Sequence, residues 1–168
     1  MDIQIFQYKE SHLEELRVIL NEYLSFISKE LIKPPWDFNL NVEYAVNFTM
    51  NNLDKFAEPD RRLLLVEVDG EIAGTISLRK IREDAGEIKR MYVKPKFRGK
   101  KLGNLLIEEV IEISQGNEFS KLYLDTAHFM SSAISLYKKY GFKETTSYPE
   151  SVIPKGLLNT MIFLMKEL

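Results

Sequence analysis

The sequence predicts a mixed α/β (α+β) fold in a single domain spanning residues 1–168. Three observations predict it. Apolar residues recur at helical spacing in four separate stretches. Between the second and third of these lie short apolar runs joined by tight-turn residues, which read as an antiparallel meander. The resulting order, β-α-α-β-β-β-α-β-α-β-β, differs from the strict βαβ repetition of a doubly wound parallel sheet.

Ile3-Gln4-Ile5-Phe6 is a short strand. Ser11-His12-Leu13-Glu14 has the form of a capping box, in which hydroxyl and carboxylate each serve an orphan backbone N–H. Leu13, Leu16, Leu20, Tyr23, Leu24 and Ile27 then form the apolar stripe of a first helix. That helix must end before Lys33-Pro34-Pro35, because prolines cannot continue it. Trp36-Asp37-Phe38 lies in the following loop. A second helix is expected from about Val42 to Lys55, with Val42, Ala45, Val46, Thr49 and Leu53 on one face and Glu58-Pro59-Asp60 closing it.

Leu63–Val68 is a strand, and Asp69-Gly70 is a strong hairpin signal because the turn needs positive φ. On the return strand, strict alternation puts Ile72, Gly74, Ile76 and Leu78 on one face and Glu71, Ala73, Thr75 and Ser77 on the other. Asp84-Ala85-Gly86 turns into the strand Glu87–Val93. Alternation there would pair Ile88 with Tyr92. A core that takes both Ile88 and Met91 needs a bulge between them, a device frequent beside active sites. A strand covered on both faces needs none.

Leu102, Leu105, Leu106, Val110 and Ile113 mark a third helix, with Gly116 near its end. Leu122-Tyr123-Leu124 is a strand. Ser131–Tyr140 is a helix, with Met130, Ala133, Ile134 and Tyr137 on one face. Gly141 suits a left-handed C-terminal cap and Phe142 the contact beyond it. Lys143–Thr146 and Thr160–Met165 are the last strands.

Length and composition suit one soluble globular domain with a substantial core: 168 residues, 45% hydrophobic and 29% charged. A net charge of −2 gives no global case for binding nucleic acid or an anionic membrane. The absence of cysteine excludes disulfides, a thiol nucleophile and a thiolate metal site. His12 and His128 form no pair at metal-ligand spacing, so no metal is expected. The acidic second residue and the lack of an early apolar run argue against a signal peptide. No stretch approaches the roughly 18 apolar residues that span a bilayer. The expectation is a cytoplasmic monomer or homodimer.

The chemistry-bearing segment runs from Glu87 to Val110. A buried strand leads into a basic loop, Arg98-Gly99-Lys100-Lys101-Leu102-Gly103, which opens a helix. Unpaired amides and a partial positive charge at a helix start can hold a phosphate or pyrophosphate. The loop lacks the Walker pattern and the three-glycine dinucleotide fingerprint. Taken alone it could equally be a basic surface turn.

Two further patterns narrow the reading. Met91-Tyr92-Val93, then Pro95, precede the Arg98–Gly103 loop. Downstream stand Ala133, Leu136, Tyr137, Gly141 and Phe142, in the order Ala-x-x-Leu-Tyr-x-x-x-Gly-Phe. Together these resemble the GNAT superfamily of acyl-CoA-dependent N-acetyltransferases over residues 87–142. Lys101 stands where that family usually has the first loop glycine. Met130 stands where many members have an asparagine that contacts the pantetheine arm.

The resemblance implies a mixed, mostly antiparallel central sheet flanked by helices. It also implies direct acetyl transfer from acetyl-CoA to a primary amine of a small molecule or peptide. A protein lysine or N-terminal acetyltransferase is one alternative, and a non-catalytic acyl-CoA-binding regulatory module is another. Glu87 matches the carboxylate that serves as base or water relay; otherwise it is a strand glutamate paired with Lys89 or Arg90. Tyr137 matches the general acid for the departing thiolate, and would otherwise be a core tyrosine. Backbone amides around Met91, Tyr92 and Val93 are expected to face the thioester oxygen. Arg98, Gly99, Lys100, Lys101, Leu102, Gly103 and Asn104 are expected to cradle the pyrophosphate of acetyl-CoA. Tyr23, Trp36, Asp37, Phe38, Tyr44 and Tyr148 are candidates to line the acceptor site.

Overall fold

The computed structural model describes residues 1–56 and 62–168. It contains the strands β1 (Ile3–Gln7), β2 (Arg62–Val68), β3 (Glu71–Arg82), β4 (Ala85–Val93), β5 (Lys121–Ala127), β6 (Lys143–Thr145) and β7 (Met161–Glu167). The helices are α1 (Leu13–Leu31), α2 (Val42–Met50), α3 (Leu102–Gly116) and α4 (Ser131–Lys139). The element order is the predicted one. The seven strands form one sheet in the order β1-β2-β3-β4-β5-β7-β6. Only β4 and β5 pair in parallel.

The sheet separates two apolar layers. On one face Leu16, Ile19, Leu20 and Leu24 of α1, with Val46 and Met50 of α2, pack on Leu63, Leu65, Ile72 and Tyr92. On the other, Leu102, Leu106, Ile107 and Val110 of α3, with Tyr137 and Phe142, pack on Leu64, Val66, Ile76, Ile88 and Leu124. The sheet is therefore buried on both sides along its centre, which is why Leu63–Val66 reads as a continuous apolar run.

Bulges reset the phase of two strands. Val66 opposes Gly74 but Glu67 opposes Ile72, so Ala73 is the extra residue. Ile72 consequently joins the α1/α2 layer while Ile76 and Leu78 join the α3 layer, which corrects the strict alternation expected for this strand. In β4, Ser77 opposes Lys89 and Thr75 opposes Tyr92, leaving one extra residue in the Arg90–Met91 step. Arg90 takes φ 55°, uncommon for a residue with a side chain. The slip places Ile88, Met91 and Val93 against the α3 layer and Tyr92 against α1, as a bulge between Ile88 and Met91 requires.

Local details differ elsewhere. The Ser11–Glu14 capping box does not form: Glu10–His12 make a separate helical turn, and His12 Nδ1 accepts from the Lys9 amide at 3.3 Å. The second helix stops at Met50 rather than Lys55. There the Asn52 side chain donates to the Phe48 carbonyl at 2.7 Å, competing with the helical ladder, and a short turn over Leu53–Phe56 follows. The expected stop at Glu58-Pro59-Asp60 lies outside the described residues. Asp69 and Gly70 both take positive φ, 50° and 83°, as the hairpin requires. Gly141 takes φ 86°, and the Phe142 amide reaches the Tyr137 carbonyl at 3.1 Å, closing α4 in a Schellman motif.

Candidate active site

Parallel pairing between β4 and β5 runs from Ala85/Lys121 to Ile88/Leu124 and then stops. Beyond that point β4 enters its bulge and the two strands diverge. A cleft of about 510 Å³ lies along the divergence, and a smaller cavity of about 50 Å³ adjoins it. Met91, Met130 and Ala133 line both, so the two spaces lie side by side.

The larger cleft runs past the start of α3. Met91, Tyr92, Val93, Arg98, Gly99, Lys101, Leu102, Gly103 and Asn104 all line it. Lys100 is turned aside, its ammonium 5.5 Å from the centre of the Phe97 ring. In the first turn of α3 the amides of Asn104 and Leu105 fold back on the Lys101 carbonyl at 3.0 and 3.2 Å. Those of Leu102 and Gly103 have no partner among the described residues, as expected for orphan donors at a helix start. Asn104 spends its side chain on Tyr140, whose hydroxyl in turn binds Glu108.

Lys101 adopts φ 61°, ψ 16°, the left-handed conformation a glycine would take without strain. Lysine therefore holds the backbone shape of the loop and adds a charge to its rim. Gly103 has a packing reason to lack a side chain: a Cβ there would sit 3.1 Å from Leu136 Cδ2 and 3.4 Å from Met91 Cε. Arg98 donates from Nε to the Val93 carbonyl at 3.2 Å, so its guanidinium is fixed over the end of β4.

The smaller cavity is lined by Tyr23, Lys89, Arg90, Asp125, Met130 and Tyr137, among others. Tyr137 is 5% exposed and meets Phe142 edge-on, with ring centroids 5.8 Å apart. Its hydroxyl has no hydrogen-bond partner among the described residues. Burial, reinforced by nearby Tyr23 and Asp125, holds its pKa above the ordinary tyrosine value. The phenol thus keeps its proton over the whole neutral and mildly alkaline range and remains a donor.

Glu87 does not reach this cavity. Its side chain is fully buried one step behind it. Arg79 Nε pairs with one carboxylate oxygen. Tyr148 donates to the other at 2.6 Å, and Lys89 Nζ lies 3.3 Å from that same oxygen. Lys89 also binds Asp125 Oδ2 at 2.5 Å, an oxygen that Ser151 reaches at 3.3 Å. Arg79 donates further to the Glu150 carbonyl at 2.8 Å, and Arg82 grips the Glu150 carboxylate at 2.9 Å through both oxygens. The network ties β3, β4 and β5 to the chain between β6 and β7.

The sequence missed Asp125, Arg79 and Arg90. The only available signal was a charged residue inside an otherwise apolar strand, as with Asp125 after Leu122-Tyr123-Leu124. Of the acceptor-site candidates, Tyr23 lines the cavity and Tyr148 serves Glu87. Trp36 stacks on His128 with centroids 5.9 Å apart, and Phe38 lies against Gly156. Tyr44 is exposed beside Phe48.

The fold recurs in solved structures. An acetyltransferase from Streptococcus agalactiae superposes with a TM-score of 0.79 at 21% identity, covering 99% of this chain and 98% of that one. An N-acetyltransferase from Thermoplasma acidophilum, solved in complex with coenzyme A, gives the same TM-score at 20% identity and covers both chains completely. An uncharacterised N-acetyltransferase of Schizosaccharomyces pombe is 31% identical over 152 residues, which is 84% of this chain and 83% of that protein. The model of the acetyltransferase (GNAT) family matches residues 21–142, and this chain belongs to that family.

Proposed function

We propose that the protein transfers an acetyl group from acetyl-CoA to the primary amine of a small molecule or peptide. The observation that carries this reading is that the two cavities adjoin, with Met91, Met130 and Ala133 lining both. One end offers unpartnered helix-start amides and the cations of Arg98 and Lys101. The other offers a free phenol and a carboxylate. A pyrophosphate suits the first and an amine the second. The coenzyme A complex of the Thermoplasma protein, which shares the fold, supports the same assignment.

Bound acetyl-CoA supplies an acyl group activated as a thioester. The residues do the rest. Leu102 and Gly103 amides, with Arg98 and Lys101, hold the phosphates. Met91 and Ala133, which line both cavities, would wall the acyl arm. Asp125 faces the acceptor and accepts the proton the amine gives up as it attacks. Glu87 stands behind it and holds Lys89 and Tyr148 in place. It is a positioning residue here, one step from the base role its motif position implies. Tyr137 donates a hydrogen bond to the leaving sulfur, within reach of the junction where the cavities meet.

A coenzyme A release assay over a panel of amines tests the reading. Asp125→Asn should lower kcat/KM by about 10²-fold or more, as loss of a general base does. Glu87→Gln should lower it less, as loss of a positioning group does. Acetyl-CoA binding without turnover of any amine would sink the enzyme reading and leave an acyl-CoA-binding module. Failure of acetyl-CoA to raise the Tm would remove the cleft assignment as well.

A further inference from the structure

Charge in and behind the smaller cavity is balanced with one exception. Arg79 and Lys89 are matched by Glu87 and Asp125, and Arg82 by Glu150. Arg90 lines the cavity beside Tyr23, Asp125 and Tyr137, and no described residue forms an ion pair with it. Its left-handed backbone, φ 55°, takes it out of the alternation of β4. It shares the lining of this cavity with Tyr23, and its positive charge opposes the rise that burial produces in the Tyr23 phenol.

A half-buried guanidinium without a counter-ion is unfavourable, and the unfavourable term disappears when an anion arrives. Guanidinium takes carboxylate or phosphate in two parallel hydrogen bonds, a geometry an ammonium cannot reproduce. Across the same cavity stands Asp125, a match for an ammonium. Arg90 and Asp125 line one small cavity, so an anion held by the first and an ammonium facing the second would lie close together.

Resting on the acetyltransferase reading above, we propose that Arg90 forms an anion subsite. The acceptor is then an amine carrying a carboxylate or phosphate a short spacer away, as an amino acid or an aminoalkyl phosphate does. Arg90 binds the anion, and Asp125 and Tyr137 flank the amine.

The test compares kcat/KM within matched pairs: amino acids against their amides, and aminoalkyl phosphates against the parent amino alcohols. An amino-acid amide has the less basic amine, so intrinsic reactivity favours the amide and a preference for the acid reports the site. At least one anionic class should be favoured by about tenfold or more, in line with sites built to bind a polar group. Which pair shows the preference distinguishes carboxylate from phosphate. Arg90→Gln should bring that ratio close to one, and Arg90→Lys should retain part of it. A ratio near one in the parent protein for both classes, or an unchanged ratio in Arg90→Gln, overturns the subsite while leaving acetyl transfer standing. Transfer to no amine, with acetyl-CoA still raising the Tm, overturns the enzyme reading and the subsite together.

Discussion

Replacing Tyr137 by phenylalanine separates chemistry from folding. The ring is buried against Phe142, but no described residue hydrogen-bonds to the hydroxyl. Deleting it therefore orphans no protein donor or acceptor, and the effect on stability should stay within about 1 kcal/mol. For a chain of this size that is a Tm change below about 4 °C. The rate should behave quite differently. Loss of general acid assistance is worth about 10²–10⁴ in kcat, or about 2.7–5.4 kcal/mol of barrier. The KM for acetyl-CoA should change by less than about threefold, since the proposed phosphate site is built from the start of α3 and not from Tyr137. Coenzyme A release can be followed with a thiol-reactive dye, because the chain contains no cysteine to react with it. The pH profile adds a second check. With the Tyr137 pKa raised by burial, the parent enzyme should show no loss of rate from its deprotonation below about pH 10. Full activity in Tyr137→Phe would refute the role. So would a rate loss that merely tracks a large fall in Tm.

Gly103→Val places branched carbon where Leu136 already lies 3.1 Å from the first added atom, so the Leu136 side chain or the start of α3 must give way. Acetyl-CoA affinity by calorimetry should fall about tenfold or more through the misplaced amides; an unchanged Kd would move the phosphate site elsewhere. Lys101→Gly relieves a left-handed lysine and should raise the Tm by about 1–4 °C, equivalent to about 0.5–1 kcal/mol, while flattening the salt dependence of acetyl-CoA binding. A lower Tm would show that the lysine side chain contributes packing. Stability should fall in alkali. Burial, aided by Glu22, pushes Tyr92 up to about 12, and burial also raises Tyr137 and Tyr148. These groups ionise first in the unfolded chain, near pH 10, so their stabilising effect is complete below that pH. For Tyr92 it is lost as pH approaches about 12. Denaturant midpoints that stay flat from pH 9 to about 12 would contradict this.

Local patterns in the sequence revealed local structure. Leu16, Leu20 and Leu24 follow helical spacing and do pack on the sheet, and Asp69-Gly70 makes the hairpin its positive φ values require. The Arg98–Gly103 loop was legible for the same reason, since the strand, turn and helix start are contiguous. Glu87 was found by position but not by environment. Its partners Arg79 and Tyr148 are 8 and 61 residues away in the chain, and only β-sheet pairing and the route of the β6–β7 connection bring them to it. Asp125 and Arg90 were missed because what matters about them is the point where β4 and β5 part, a property of two strands and not of either one. Helix ends were misjudged where side chains such as Asn52 and His12 compete for backbone groups, an outcome decided by small energy differences.

The bulge in β4 is in effect a single inserted residue. Without Arg90 the strand would alternate regularly from Ile88 through Met91 and Tyr92 to Val93, and every one of those side chains would keep its present face. The two apolar layers would not register the loss. What would change is the interruption of the ladder beside β5 and the cation it presents. A chain lacking Arg90 could therefore fold around the same interior yet carry a continuous sheet with no fork. Such a chain would be the same scaffold without the gap, one codon away.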